Sequence, residues 1–340
     1  MVTMAIEPGI GKLADRVARF RELGIIGVLA IFVVVTAAVE PRFLDAQNIK
    51  FTLMNSTIYA FLALGETVVI ISRNVDLSVG SILGFSAYIS ANLFSQVHGI
   101  PVVAVFAVGF GIGIGFGMVN GLIVAALRVP SLVVTLATLY MIQGLDVTIV
   151  GGGEVVPNSL PHAFLAVTAD SLAGVPDVTI AVAAVIAVGA YYLRSFRSGR
   201  ELYAIGSNPE AARLAGIRSG TRIFTAFVIC GAIAGLAGVI WASHFQTVTS
   251  TAGTTYELQA IAAVVVGGVA IFGGSGSAVG AAFGALLLGT INQALYVLGI
   301  SSLWDEAIAG FLLILAISMD RGFSVRLNAA LRKRNVQHAT

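Results

Sequence analysis

Charge is what this sequence has least of. Aspartate, glutamate, lysine and arginine make up 11% of its 340 residues, where a soluble domain carries about 25%. An ordinary soluble fold is therefore excluded. The net charge is only +2, which gives no footprint for nucleic acid. A single cysteine, Cys230, rules out an intrachain disulfide and any CxxC metal or redox site. There are three lysines, Lys12, Lys50 and Lys333, and none stands in a GxxxxGK[ST] loop; GIGK at 9–12 lacks the rest of that motif. The chain thus has no nucleotide site of its own. The four histidines, His98, His162, His244 and His338, fall at segment ends, in a loop or in the tail. They suggest neither a metal site nor a proton relay.

What fills the sequence is apolar: 57% hydrophobic residues, 39 glycines and a mean hydropathy of +0.95. A run of about 20 apolar residues crosses a bilayer as a helix. The expected fold is an all-α polytopic transmembrane bundle of about ten spans. The apolar segments are 23–39, 51–72, 77–97, 101–127, 131–150, 177–194, 223–243, 257–273, 279–299 and 303–319. The first is too long, and its polar lead too long, for a signal peptide. Segment 257–273 is short and glycine-rich, and its Gly267–Gly268 pair invites a break in the helix.

Basic residues set the orientation, because lysine and arginine stay on the cytoplasmic side. Fifteen of the nineteen lie in three clusters: Lys12 to Arg21, Arg194 to Arg222, and Arg321 to Arg334. Six spans and then four separate them, so all three face one side, with both termini cytoplasmic. The chain divides into an amphipathic leader at 1–22, a membrane domain at 23–319 carrying a cytoplasmic loop at 195–222, and a basic tail at 320–340. The longest outer loop is 151–176.

Four kinds of residue stand out inside the membrane. Gly109, Gly113, Gly117 and Gly121 recur every four residues, one stripe of a helix. Such a stripe lets another helix approach closely, or lines a pathway. Asp76, in RNVDLSVGS at 73–81, either caps the third span or lines an inner gate. Glu66 and Asp146 are intramembrane acids, which are costly and face protein or water. Glu66 makes a structural hydrogen bond or belongs to the transport pathway. Asn74, Asn120 and Gln143 complete the polar candidates for pathway or gate.

The cytoplasmic loop holds SNPEAARLAGIRSGTR at 207–222. Ser207 or Asn208 can cap a helix. Pro209 suits its first position, and Glu210 matches the dipole of its first turn. Ala211, Ala212, Arg213 and Leu214 continue it. Gly216 is placed to end it. A helix of about two turns is too short to stand alone, so it must dock on something.

EAARLAG matches the EAA-x-x-x-G pattern of ABC-importer permeases at Glu210, Ala211, Ala212 and Gly216. The stretch AIGSNPEAARLAGI resembles the same loop of ribose-type monosaccharide permeases. DLSVGS at 76–81, and ELQAIAAVVVGG with FGGSGSAVGAAFGALLLG, resemble two further signatures of that family, in the same order. The resemblance covers roughly residues 20 to 320. Arg73 and Asn74 stand where the family usually has Gly-Gly, which looks more like its rhamnose and autoinducer-2 branch. The resemblance implies the permease subunit of an ATP-driven importer in the bacterial inner membrane. It implies a second permease copy, surrounding lipid, a periplasmic sugar-binding protein and a cytoplasmic ABC ATPase that binds the ATP and magnesium. It makes Asn208, Pro209, Glu210, Ala211, Ala212, Arg213, Leu214 and Gly216 the ATPase-coupling helix. The chain itself would be no enzyme and would hold no cofactor or metal. The alternative is a gradient-driven secondary transporter of a small polar solute.

Overall fold

A computed structural model describes the backbone of residues 8–97, 99–301 and 303–318, and side chains within those ranges from residue 23 onward. The tail at 320–340, His98, His338 and the first seven residues of the leader lie outside the described residues. Thirteen α-helices occur among those described. They are α1 (Pro8–Val39), α2 (Ala46–Ile71), α3 (Val79–Gln96), α4 (Val102–Leu127), α5 (Ser131–Val150), α6 (His162–Ala169), α7 (Asp177–Ser195), α8 (Arg197–Ser207), α9 (Pro209–Leu214), α10 (Ser219–Phe245), α11 (Tyr256–Val266), α12 (Ala278–Val297) and α13 (303–318). The one sheet among the described residues is a two-stranded hairpin, Ser171–Leu172 with Val175–Pro176, in the 151–176 loop.

Six of these helices, α2, α4, α5, α7, α10 and α12, are long and apolar enough to cross a membrane. The fold is an all-α membrane bundle. Leu23–Val39 and Tyr256–Val266 are shorter apolar helices. The leader does not form a separate element, because α1 runs unbroken from Pro8 through the boundary at residue 22.

The bundle is organised around α2 and α10. Helix α10 packs against α2, α3 and α4, and α12 packs against α2 and α11. Helix α2 is buried along most of its length. In a bilayer, helix association rests on close packing rather than on the hydrophobic effect, and the α4–α10 seam has the sequence for it. Gly109, Gly113, Gly117 and Gly121 all face α10. A Cβ added at Gly117 would lie 2.5 Å from the Phe227 carbonyl oxygen, and one at Gly121 would lie 3.0 Å from that of Phe224. Gly231 and Gly235 of α10 return the same close approach to Gly113 and Gly109. Gly111 and Gly115, on other faces of α4, have nothing within 4 Å of such a Cβ.

The segment expected at 257–273 is helical only to Val266. An eleven-residue helix is about 16 Å long, roughly half a hydrocarbon core of about 30 Å. The break falls at Gly267–Gly268, where Gly268 takes φ +88°. The non-helical backbone beyond the break is satisfied within the protein. Gly268 N–H and Val269 N–H donate back to Val265 and Val264 at 3.0 and 3.1 Å, and Ala270 N–H donates to Ser275 O at 3.0 Å. Upstream of α11, Ala252 and Gly253 lie against α3, with the Gly253 carbonyl beside Gly80. The 151–176 loop is tied to this stretch by an antiparallel bridge between Val155 and Val248. It is tied to α10 by Ser243 Oγ–H donating to Phe164 O at 2.7 Å.

Candidate functional site

Two places gather the chemistry-bearing residues: the loop around α9, and a polar node at the turn between α2 and α3. Asn208 caps α9, its side-chain oxygen accepting from the N–H groups of Glu210 at 3.1 Å and Ala211 at 3.0 Å. Gly216 follows in the left-handed region at φ +77°, and Ile217 N–H closes the turn on Ala212 O at 3.0 Å. The helix spans six residues, with both ends satisfied. Asn208, Pro209, Glu210, Ala211, Arg213 and Leu214 are exposed, Leu214 at 81%. Ala212 is not: at 3% exposure it packs inward, so its side chain is unavailable to a partner.

Helix α8 anchors this turn. Its Glu201 accepts from Arg197 Nε one turn earlier at 2.8 Å and from Arg222 Nε at the start of α10. Those two guanidinium groups, Arg222 first, hold the Glu201 carboxyl below the usual carboxylate range. A carboxylate with a lowered folded pKa adds stability that is complete above its unfolded value of about 4.3 and is lost as pH falls through the folded value. The stability gap between wild type and Glu201→Gln is therefore expected to narrow on acidification below about pH 4.3. Thermal midpoints of the two proteins measured across that range check it; a gap independent of pH contradicts it.

Past Glu201, α8 meets two other segments backbone to backbone. Gly206 leaves no room for a side chain against the Ile71 carbonyl and the Gly274 N–H. Gly274 N–H donates to Ile71 O at 2.9 Å, Tyr203 Oη–H to Gly276 O at 3.0 Å, and Arg73 Nε–H to Phe272 O at 2.9 Å. Thus α8, the α2–α3 turn and the glycine loop below α11 share one junction. Tyr203 and Gly206 of α8 lie far in the chain from Ile71 and Gly274, and only the excess of glycine at 273–276 hinted at the contact.

The node above this junction contains three of the sequence candidates. Asp76 Oδ1 accepts from Ser78 N–H at 3.0 Å, from Ser78 Oγ–H at 2.6 Å and from Asn120 Nδ2 at 3.4 Å. Asn120 Nδ2 also donates to Ser78 Oγ at 2.8 Å. Asp76 thus shapes the approach to α3 and binds α4 to it. Glu66, Asp76 and Asn120 are fully buried. Asn74 is half-buried and turns back on Ser72, donating to its carbonyl at 3.0 Å. Gln143 is half-buried on α5 and joins none of these bonds. Asp146, on the same helix, is buried. A cleft of about 960 Å³ opens between the turn, the α4–α5 connection and α9, lined by Arg73, Asn74, Arg128, Ser131, Glu210 and Arg213 among others.

A family described as the permease component of the branched-chain amino acid transport system matches residues 48–317. The chain belongs to this family. Among curated proteins, the autoinducer 2 import system permease LsrC of Enterobacter sp. (strain 638) is 35% identical over 301 residues, covering 88% of this chain and 86% of its own. Its counterpart from Escherichia coli (strain K12 / DH10B) is 34% identical, covering 90% of each. A probable ABC transporter permease, y4mJ of Sinorhizobium fredii, is 32% identical over 88% of this chain and 89% of its own. No solved structure matches. The permease carries α9 and the polar node within the matched residues.

Proposed function

We propose that this permease is the membrane-pathway subunit of an ATP-driven ABC importer for a small polyol of the autoinducer-2 or monosaccharide class. Likeness to autoinducer 2 import permeases along nine-tenths of both chains carries this reading. The subunit resides in the bacterial inner membrane, works beside a second permease copy and receives substrate from a periplasmic binding protein. A cytoplasmic ABC ATPase binds the ATP and magnesium. Four shorter segments, Leu23–Val39, α3, α11 with its glycine loop, and α13, bring the six long helices to ten spans, with both termini and the 195–222 loop cytoplasmic. Helix α9 is the coupling element. Asn74, Asp76, Asn120, Glu66 and Gln143 serve the pathway and its inner gate.

Proteoliposomes holding the permease, its cognate ATPase subunit and its binding protein test the proposal. Uptake of autoinducer-2 or a related sugar should require all three components and ATP. Uptake by the permease alone, driven by a proton or sodium gradient, would instead establish a secondary transporter.

A further inference from the structure

The polar node contains two acids and no positive charge. Glu66, Asp76 and Asn120 have no exposed surface. The Asp76 N–H faces the Glu66 carboxyl, whose two oxygens have no other hydrogen-bond partner. Asp76 Oδ2 and Asn120 Oδ1 are equally without partners. The other donors at the node are already committed: Ser78 N–H and Oγ–H to Asp76, and Asn120 Nδ2 to Ser78 and Asp76. Among the described residues, no lysine, arginine or histidine nitrogen lies within 4.0 Å of either carboxyl. The other titratable group facing Glu66 is Cys230 of α10, whose neighbour Gly65 it packs against. A thiol carries no positive charge in either form.

Four buried acceptors and one uncommitted donor, the Asp76 N–H, make an unstable arrangement if both acids are ionised. Each unpaired buried charge costs several kcal/mol or more, and two neighbouring carboxylates do not both ionise readily. The donors converge on Asp76, so the single negative charge is best held there. Glu66 faces only the Asp76 N–H and lies on the most buried of the six long helices.

We propose that Glu66 is a proton-binding site, carried by the permease as a neutral carboxylic acid whose O–H is offered to the unpartnered Oδ2 of Asp76. One proton is taken from water, Glu66 becomes neutral, and Asp76 keeps one negative charge held by Ser78 and Asn120. The bound proton ties α2 to the α2–α3 turn and, through Asn120, to α4. The inference does not depend on which solute is carried or on what powers transport.

Infrared difference spectroscopy of the full chain in lipid tests it directly. Wild type should show a protonated-carboxyl C=O stretch that shifts in deuterium oxide and is absent from Glu66→Gln. Asp76→Asn should retain the band. Glu66→Asp should keep a protonated-carboxyl band at a displaced frequency, which preserves the test if Glu66→Gln does not assemble. A wild-type spectrum in which no such band depends on Glu66 overturns the proposal. So does a sodium-dependent rise in thermal midpoint, measured against choline, that disappears in Glu66→Gln, because a cation would then occupy the node.

Discussion

Replacing Gly113 by leucine should remove assembled permease almost entirely. The Cβ alone would fall on the Gly231 carbonyl, and the Gly235 N–H would stand 2.9 Å away. Both obstacles are backbone of α10, so no rotamer change relieves them. Overpacking of a core ordinarily costs about 1–3 kcal/mol; here the whole α4–α10 seam must part. Gly111→Leu and Gly115→Leu provide the control, since nothing lies within 4 Å of a Cβ at either position. Yields of monodisperse protein and thermal midpoints should separate Gly113→Leu sharply from the other two. Wild-type yield and stability in Gly113→Leu would refute the close-packing role of the stripe.

Charge reversal on α9 should produce the opposite phenotype, a folded permease that does not work. Glu210 and Leu214 are exposed and make no side-chain contact that the bundle needs. Glu210→Lys opposes the dipole of the capped turn, and Leu214→Asp places a charge on its outward apolar point. Each should leave permease yield unchanged while lowering ATPase co-purification and ATP-driven uptake about tenfold or more, the effect of roughly 1.4 kcal/mol. Ala212 is unsuitable for this purpose, because its buried side chain would report on the fold instead. The native chain has one cysteine, buried Cys230, so a cysteine placed at 214 can be labelled selectively. In intact cells an impermeant reagent should not reach it from outside. Undiminished ATPase binding and transport in both variants would remove α9 from the coupling role.

The fold was legible in the sequence wherever one helix face or one run of residues held the signal. The apolar segments located every long helix, and the four-residue spacing marked the face of α4 that meets α10. Asn208, Pro209 and Gly216 delimited α9, because capping chemistry acts over three or four neighbours. Gly267–Gly268 marked the end of α11. The leader was less clear, since α1 continues through residue 22 with no local stop signal to oppose it. The orientation of Ala212 was also hidden: in a six-residue helix one residue sets which side is inward, and only contact with α8 and α10 decides it. Asp76, Asn120 and Glu66 could be picked out as polar residues in apolar runs. Their convergence could not, because residues on α2, its following turn and α4 meet only after the bundle closes. The junction of Tyr203, Gly206 and Gly274 was illegible for the same reason.

The glycine seam between α4 and α10 also has a thermal consequence. Separating two helices within lipid exposes apolar surface to acyl chains rather than to water. The hydration change that gives soluble folding its large heat capacity is then nearly absent. The seam's strength should consequently vary little on cooling, whereas the apolar contacts proposed between α9 and an ATPase in the aqueous phase should weaken as they do in soluble proteins. In a cold bilayer, the body of the permease would outlast the proposed grip of α9 on its motor.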